Sequence, residues 1–305
     1  MKNGSDARKV RADLHMHGPI GFQDYWLKKQ GYGGKNILRL ITDSCLDKGI
    51  GITAITSDED EIPPGSMHDR FGYLRDKFAL DLPKSYKVDF LGENVMRVAR
   101  DENALYVLNA QNVRTHDGEK QVGYNVLGTN KLANHEDLGD TVKRVYESGI
   151  LIGGPEHAFC DAHHGISEEK LEELLPMISF VEGHDAQMRW NVSESMPKLG
   201  KYRREINKMA QEFAERHGKP WIAVSNAHRI KDAGIAYIEF DSDKLDLTEP
   251  VKFWKSLKSV IETKKFTNHC GYQNAFGWVD WVSSYLWGTK FGLDKKSEIE
   301  MMQRR

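Results

Sequence analysis

Cysteine is scarce in this sequence. Three occur, Cys45, Cys160 and Cys270, odd in number, widely spaced and without a Cys-x-x-Cys pair. Neither a disulfide framework nor a zinc finger is indicated. An excess of one charge is lacking too: 43 Lys+Arg stand against 45 Asp+Glu, for a net charge of -2. That balance argues against a protein that wraps duplex DNA through a basic face. No run approaches the ~20 apolar residues of a membrane span. The start, Met1-Lys2-Asn3-Gly4-Ser5, has no apolar signal-peptide region, so a cytoplasmic protein without membrane association is expected. Repeats and low-complexity tracts are missing as well. What is present is 39% hydrophobic residue over 305 positions, enough to core one large α/β domain or two ordinary ones.

The organising stretch is Val10-Arg11-Ala12-Asp13-Leu14-His15-Met16-His17-Gly18-Pro19. Val10, Ala12 and Leu14 alternate with polar residues as a strand does, and Gly18-Pro19 stops it. Residues two apart on a strand share a face, so His15 and His17 aim into one space and can chelate a metal. Two half-exposed strand histidines are the other reading of that pair.

Apolar residues from Ile37 to Leu46 recur at helical spacing, and Gly49 closes that helix. Ile50–Thr56 reads as a strand buried on both faces. It ends in Ser57-Asp58-Glu59-Asp60-Glu61, mostly a solvated run with one or two carboxylates turned inward. Residues 62–92 mix aromatic and basic side chains and read as an insertion, either covering a site or forming an extra surface element. A helix is expected over Glu93–Asn103, then a strand Ala104–Ala110 ending in Gln111-Asn112, with Val122–Leu127 as its partner. Further strands end in Pro155-Glu156-His157, in Glu182-Gly183-His184-Asp185 (after Ile178–Val181), and in Ser225-Asn226-Ala227-His228 (after Trp221–Val224). Helices fall between them, and Ile235–Phe240 and a helix from Pro250 to about Thr263 follow. This alternation argues for one α/β domain with a mainly parallel sheet, its polar residues gathered at strand carboxyl ends. Trp278, Trp281, Val282, Tyr285, Leu286 and Trp287 form an apolar helical stripe. Such a stripe packs back onto the domain or serves as a homo-oligomer surface.

Asp13-Leu14-His15-Met16-His17, Ala54-Ile55-Thr56-Ser57-Asp58, Gly153-Gly154-Pro155-Glu156-His157 and Ser225-Asn226-Ala227-His228-Arg229 with Gly234 together resemble the PHP family, of polymerase and histidinol-phosphate phosphatase domains. The resemblance spans roughly residues 10 to 268. It implies a distorted (β/α)7 TIM-like barrel, domain bounds of 8–268, a C-terminal helical extension over 269–305, and up to three divalent metals (zinc, manganese or iron). By the resemblance His15 and His17 match the first metal's pair, His157 a ligand of the second and His228 one of the third. Asp58 stands where the family has a histidine, Gln111 where it has a bridging glutamate, and Asn226 where it has an aspartate. The family's histidines near Gly123-Tyr124-Asn125 and near Gln23 are missing. An amide coordinates through one neutral oxygen, so one or two metals are expected, held by His15, His17, Asp58, His157 and His228 with Gln111 and Asn226 at weakened positions. Glu156, Glu182 or His184 could assist. His163 and His164 are assigned to a solvated loop, and His68, His116, His135, His217 and His269 to structural or surface roles.

Two classes of function follow. One is a metal-dependent phosphoesterase acting on a phosphorylated small molecule or nucleotide, with Asp58, His157 and Arg229 in catalysis and Arg229 or a lid lysine meeting the phosphate. Nucleic acid as substrate finds a motive in the aromatic and basic insertion and no support in net charge. The other is a non-catalytic relative whose cleft binds a phosphate-containing ligand or a protein partner, motivated by Gln111 and Asn226.

Overall fold

The computed structural model describes residues 8–18, 33–58, 62, 68–160, 164–189, 197–274, 276 and 279, with the side chains of 188–189 and 197–205 left aside. β1 (Lys9–Met16) lies inside a nine-stranded sheet. It runs parallel to β2 (Ile50–Ser57), which runs parallel to β5 (Asn103–Asp117). Beyond β5 the sheet continues antiparallel through β4 (Val95–Arg100) to β3 (Tyr86–Phe90). The carboxyl-terminal part of β5 also pairs antiparallel with β6 (Lys120–Leu127), which leads to β7 (Ile152–Pro155). A second, two-stranded parallel sheet holds β8 (Val181–Asp185) and β9 (Trp221–Val224). β10 (Tyr237–Asp241) returns antiparallel to β1, with β11 (Thr267–His269) outside it.

The fold is therefore mixed α/β, and the expected (β/α)7 barrel is corrected to an open arrangement. Antiparallel pairing replaces a crossover helix at β3-β4-β5, β5 and β6 form the expected pair, and among the described residues no ladder joins β7 to β8 or β9 to β1. Those gaps are spanned instead by Ser179 N–H to Gly153 O (2.8 Å), Asn226 N–H to His15 O (2.8 Å) and His17 N–H to Ala227 O (3.1 Å).

β2 shows why a parallel strand reads as an unbroken apolar run. Ile52 and Ala54 enter a core with Phe253 and Leu257 of helix α6 (Pro250–Glu262). Ile55 enters another with Ile37, Leu38 and Ile41 of helix α1 (Ile37–Asp47). Asn36 caps α1 by accepting Arg39 N–H (3.0 Å). The other helices are a short α2 (Arg70–Tyr73), α3 (Leu138–Glu147), α4 (Glu168–Leu174) and α5 (Pro197–Arg216).

Two element assignments change. Glu93–Asn103 is not a helix: Val95, Met96, Val98 and Ala99 are buried in β4. Their spacing mimics a helical stripe, and pairing on both edges with β3 and β5 overrides it. The strand expected over Ile178–Val181 begins only at Val181 and runs to Asp185. Residues 62–92 hold α2, a π-turn over Leu74–Phe78 and β3, which widens the sheet. Among the described residues no helix is long and apolar enough to cross a membrane. The aromatic stripe from Trp278 to Trp287 and the Gln23 region lie outside the described residues, as does His163.

Candidate metal centre

Strand alternation brings His15 and His17 together as expected, while Leu14 and Met16 enter the two cores. Both imidazoles are buried, and their Nε2 atoms stand 3.1 Å apart. The other nitrogen of each ring faces a carboxylate. His15 Nδ1 lies 2.7 Å from Glu182 Oε1, and His17 Nδ1 lies 3.1 Å from Asp58 Oδ2. With a proton on each Nδ1, both Nε2 lone pairs face each other, an arrangement that suits a proton or a cation between them. The 3.1 Å gap is about that of two nitrogens sharing a cation at about 2.0–2.1 Å each. One atom each from His15, His17 and Glu156 lies within 4.8 Å of the others.

His157 repeats the pattern. Its Nδ1 lies 2.9 Å from Asp185 Oδ2, and its Nε2 lies 3.5 Å from Glu156 Oε1. The same Glu156 oxygen is 3.9 Å from His15 Nε2, so this carboxylate stands between two histidines. Three carboxylate–histidine pairs thus converge, the arrangement that fixes ring orientation and raises basicity in metal sites. Gly123 makes room for Glu156: a β-carbon there would fall 2.3 Å from Glu156 Oε2. His157 and Asn226 both adopt left-handed backbone, φ 45° and 46°, a conformation that gathers at functional sites.

Charge sorts the cluster. Burial would raise the Glu156 pKa, but His157 and Arg114 override it and bring it down to about 2. Burial would lower His157, yet Glu156 and Asp185 lift it to about 9. Burial is likewise outweighed at His15, raised by Glu182, and at Asp58, held well below the usual carboxylate range by Arg70 and His17. At His17 and His228 burial dominates and both are lowered. In metal-free protein, the raised His157 contributes stability that is full below about pH 6.5 and is lost as pH rises through about 9. Metal-stripped protein should lose up to about 3 kcal/mol across that window in urea titrations. An unfolding midpoint that stays flat from pH 6.5 to 9 would show that His157 is not held as a cation.

The remaining expected residues divide. His228 joins the cluster by stacking on His17, with centroids 4.3 Å apart. Asn226 joins it as well: its Nδ2 donates to Asp185 Oδ2 (2.8 Å) and lies 3.3 Å from His157 Nε2. Asp58 stands behind His17, its other oxygen taken by Arg70, which is a positioning arrangement. Gln111 is engaged elsewhere. Its Nε2 donates to Leu132 O (2.9 Å), and its Oε1 accepts from Leu132 N–H (3.0 Å). The next residue, Asn112, faces the cluster instead, its Oδ1 beside Glu156 at the Gly123 wall. Arg229 is buried in a bidentate pair with Asp232. His184 leaves the site, its Nε2 2.8 Å from Gly271 O and its ring against Tyr272.

Asp185, Asn112, Asn125, Arg70 and Arg114 were not expected. Asn125 Nδ2 donates to Glu182 Oε1; its pairing opposite Asn112 puts both amides on one face. The Oδ1 atoms of Asn112, Asn125 and Asn226 are buried and find no hydrogen-bond partner among the described residues. Orphaned oxygens of this kind require an explanation, and a cation supplies one. The donor set, imidazole nitrogens with carboxylate and carbonyl oxygens, fits zinc, manganese or iron.

The two halves of the site are tied together by Asp13. Its Oδ1 accepts Ser225 N–H (3.0 Å); its Oδ2 accepts Ser225 Oγ–H (2.5 Å) and Gly234 N–H (2.8 Å). This clamp holds the end of β9, with Asn226 and His228, against β1.

Comparison with known proteins places these observations. The family model described as PHP-associated matches residues 204–253, the stretch from α5 through β9 and β10 that carries Asn226 and His228. No curated protein matches the chain. The crystal structure of PsfC from Pseudomonas syringae PB-5123 is similar at a TM-score of 0.54 and 11% sequence identity, over 93% of this chain and 99% of that one. That likeness concerns the fold alone. The similarity to the PHP-associated model is confined to residues 204–253.

Proposed function

We propose that the chain is a metal-dependent phosphoesterase. The observation that carries this reading is the convergence of His15 Nε2, His17 Nε2 and a Glu156 oxygen, each imidazole backed by its own carboxylate. In this reading His15, His17 and Glu156 would hold a first divalent cation, and His157 and Asn226, beside Glu156, would offer a weaker second position. A cation there would polarise a phosphoryl oxygen and provide a nucleophile at neutral pH. The chain's own groups do the rest. Glu182 and Asp58 hold His15 and His17 in the ligating tautomer. His157, its Nδ1 held by Asp185, is placed to ligate the second position or, where that position is empty, to give a proton from Nε2 to the leaving oxygen. Arg229 is locked to Asp232, so the half-buried Arg114, one nitrogen of which lies 3.3 Å from Glu156 Oε2, is the better phosphate contact.

The test is metal content per chain, then hydrolysis of an aryl phosphate and a phosphodiester with manganese or zinc supplied. Glu182→Gln should lower cation affinity about 10–100-fold, because it replaces the charged acceptor that fixes the His15 tautomer with a neutral amide that can also present its NH2. Unchanged affinity would mean His15 does not ligate. The neutral amides Asn112, Asn125 and Asn226 favour a second reading, a binding protein that retains the fold without turnover. Ligand binding without hydrolysis at saturating metal would decide for it.

A further inference from the structure

The free edge of the large sheet carries an interaction surface. β3 is the last strand, and among the described residues none pairs with its outer side. Leu91 N–H bonds to Val95 O (3.0 Å). In the register Lys87↔Ala99, Val88↔Val98, Asp89↔Arg97, bonds to β4 therefore fall at Lys87 and Asp89. The N–H and C=O of Val88 and the N–H of Phe90 point outward, as does the C=O of Tyr86. The Tyr86 N–H turns back to Pro83 O (2.8 Å).

This edge complements itself. We infer that β3 pairs antiparallel with β3 of a second copy, about a two-fold axis through Val88. Val88 then exchanges two hydrogen bonds with its own counterpart, and each Phe90 N–H meets a Tyr86 C=O across the axis. Lys87 of each copy stands directly opposite Asp89 of the other, giving two opposite-charge pairs on one face. Lys87 is exposed; Asp89 is 65% exposed and, among the described residues, pairs with its own Arg97, at 2.9 Å. On the other face Phe90 is 51% and Leu80 88% exposed, beside a cavity of about 650 Å³ lined also by Ala79, Leu82 and Val88. The Phe90 of the second copy, placed opposite Tyr86, falls against that apolar wall. An open edge of this kind otherwise templates uncontrolled pairing, and a centred two-fold pairing closes it.

Sedimentation equilibrium of the full chain tests this. The wild-type chain should dimerise. Lys87→Glu, which turns both cross-strand pairs repulsive, should raise the dissociation constant at least about tenfold. Adding Asp89→Lys to Lys87→Glu should restore dimerisation, and Val88→Pro should abolish it by removing the central donors. A monomeric wild-type chain, a Lys87→Glu chain that dimerises like wild type, or a double variant that stays apart overturns the inference.

Discussion

Under the proposed function, His15→Ala should strip the protein of a bound cation and, with it, of phosphoester hydrolysis. The substitution removes one of two nitrogens only 3.1 Å apart and releases Glu182 from its imidazole partner. The remaining His17 and Glu156 then face a buried space with one imidazole and a carboxylate balanced by Arg114. Loss of an outer partner alone costs about 10–100-fold in affinity, so loss of a direct ligand should exceed that. Metal per chain should fall to background, and hydrolysis in supplied manganese or zinc should fall at least about a hundredfold. Full metal content in His15→Ala would falsify the assignment of the centre. Retained metal at a lower rate would instead move His15 from holding the cation to orienting its neighbours.

Asp13→Ala should be the most destabilising single change at the site, although Asp13 touches no histidine ring. Its carboxylate is buried and accepts three hydrogen bonds from Ser225 and Gly234. Alanine leaves two backbone N–H groups and a hydroxyl buried without an acceptor. Hydrogen bonds to a charged group contribute about 1.5–3 kcal/mol each, and orphaned donors add their desolvation cost. A loss on the order of 4 kcal/mol in urea denaturation is expected, with Asp13→Asn recovering part of it. A loss below about 1 kcal/mol would show that β9 is held to β1 by its backbone bonds alone.

How much of this was legible in the sequence depends on which forces fixed each side chain's direction. The His15–His17 pair needed only the two-residue period of a strand, and that period survives any packing. The strand ends at Glu156-His157 and Asn226-Ala227-His228 were legible for the same local reason. Asp185 was not. An unbroken strand would put Glu182 and His184 on one face, but the register shifts between them. The shift turns His184 toward Gly271 and brings Asp185 to His157, and no local propensity encodes it. Gln111 and Asn112 show the same limit. Which of two neighbouring amides faces the centre depends on where β6 and the Leu132 backbone lie. Asp58 lies 3.1 Å from His17 Nδ1, and its place behind His17 depends on Arg70, a residue from α2 whose approach no spacing reveals. The closed barrel failed for a topological reason: β4 stands where a helix was expected and pairs antiparallel with β3 and β5, and among the described residues no ladder joins β7 to β8 or β9 to β1.

The left-handed backbone at Asn226 has a consequence for how this centre can change over time. Asparagine and aspartate are the side chains that best tolerate that conformation. Exchange of amide for carboxylate at this position therefore alters one atom and one unit of charge while the chain path stays as it is. The cavity's appetite for cations can drift up or down through such exchanges without the fold being renegotiated, and lineages on either side of the step would share one scaffold.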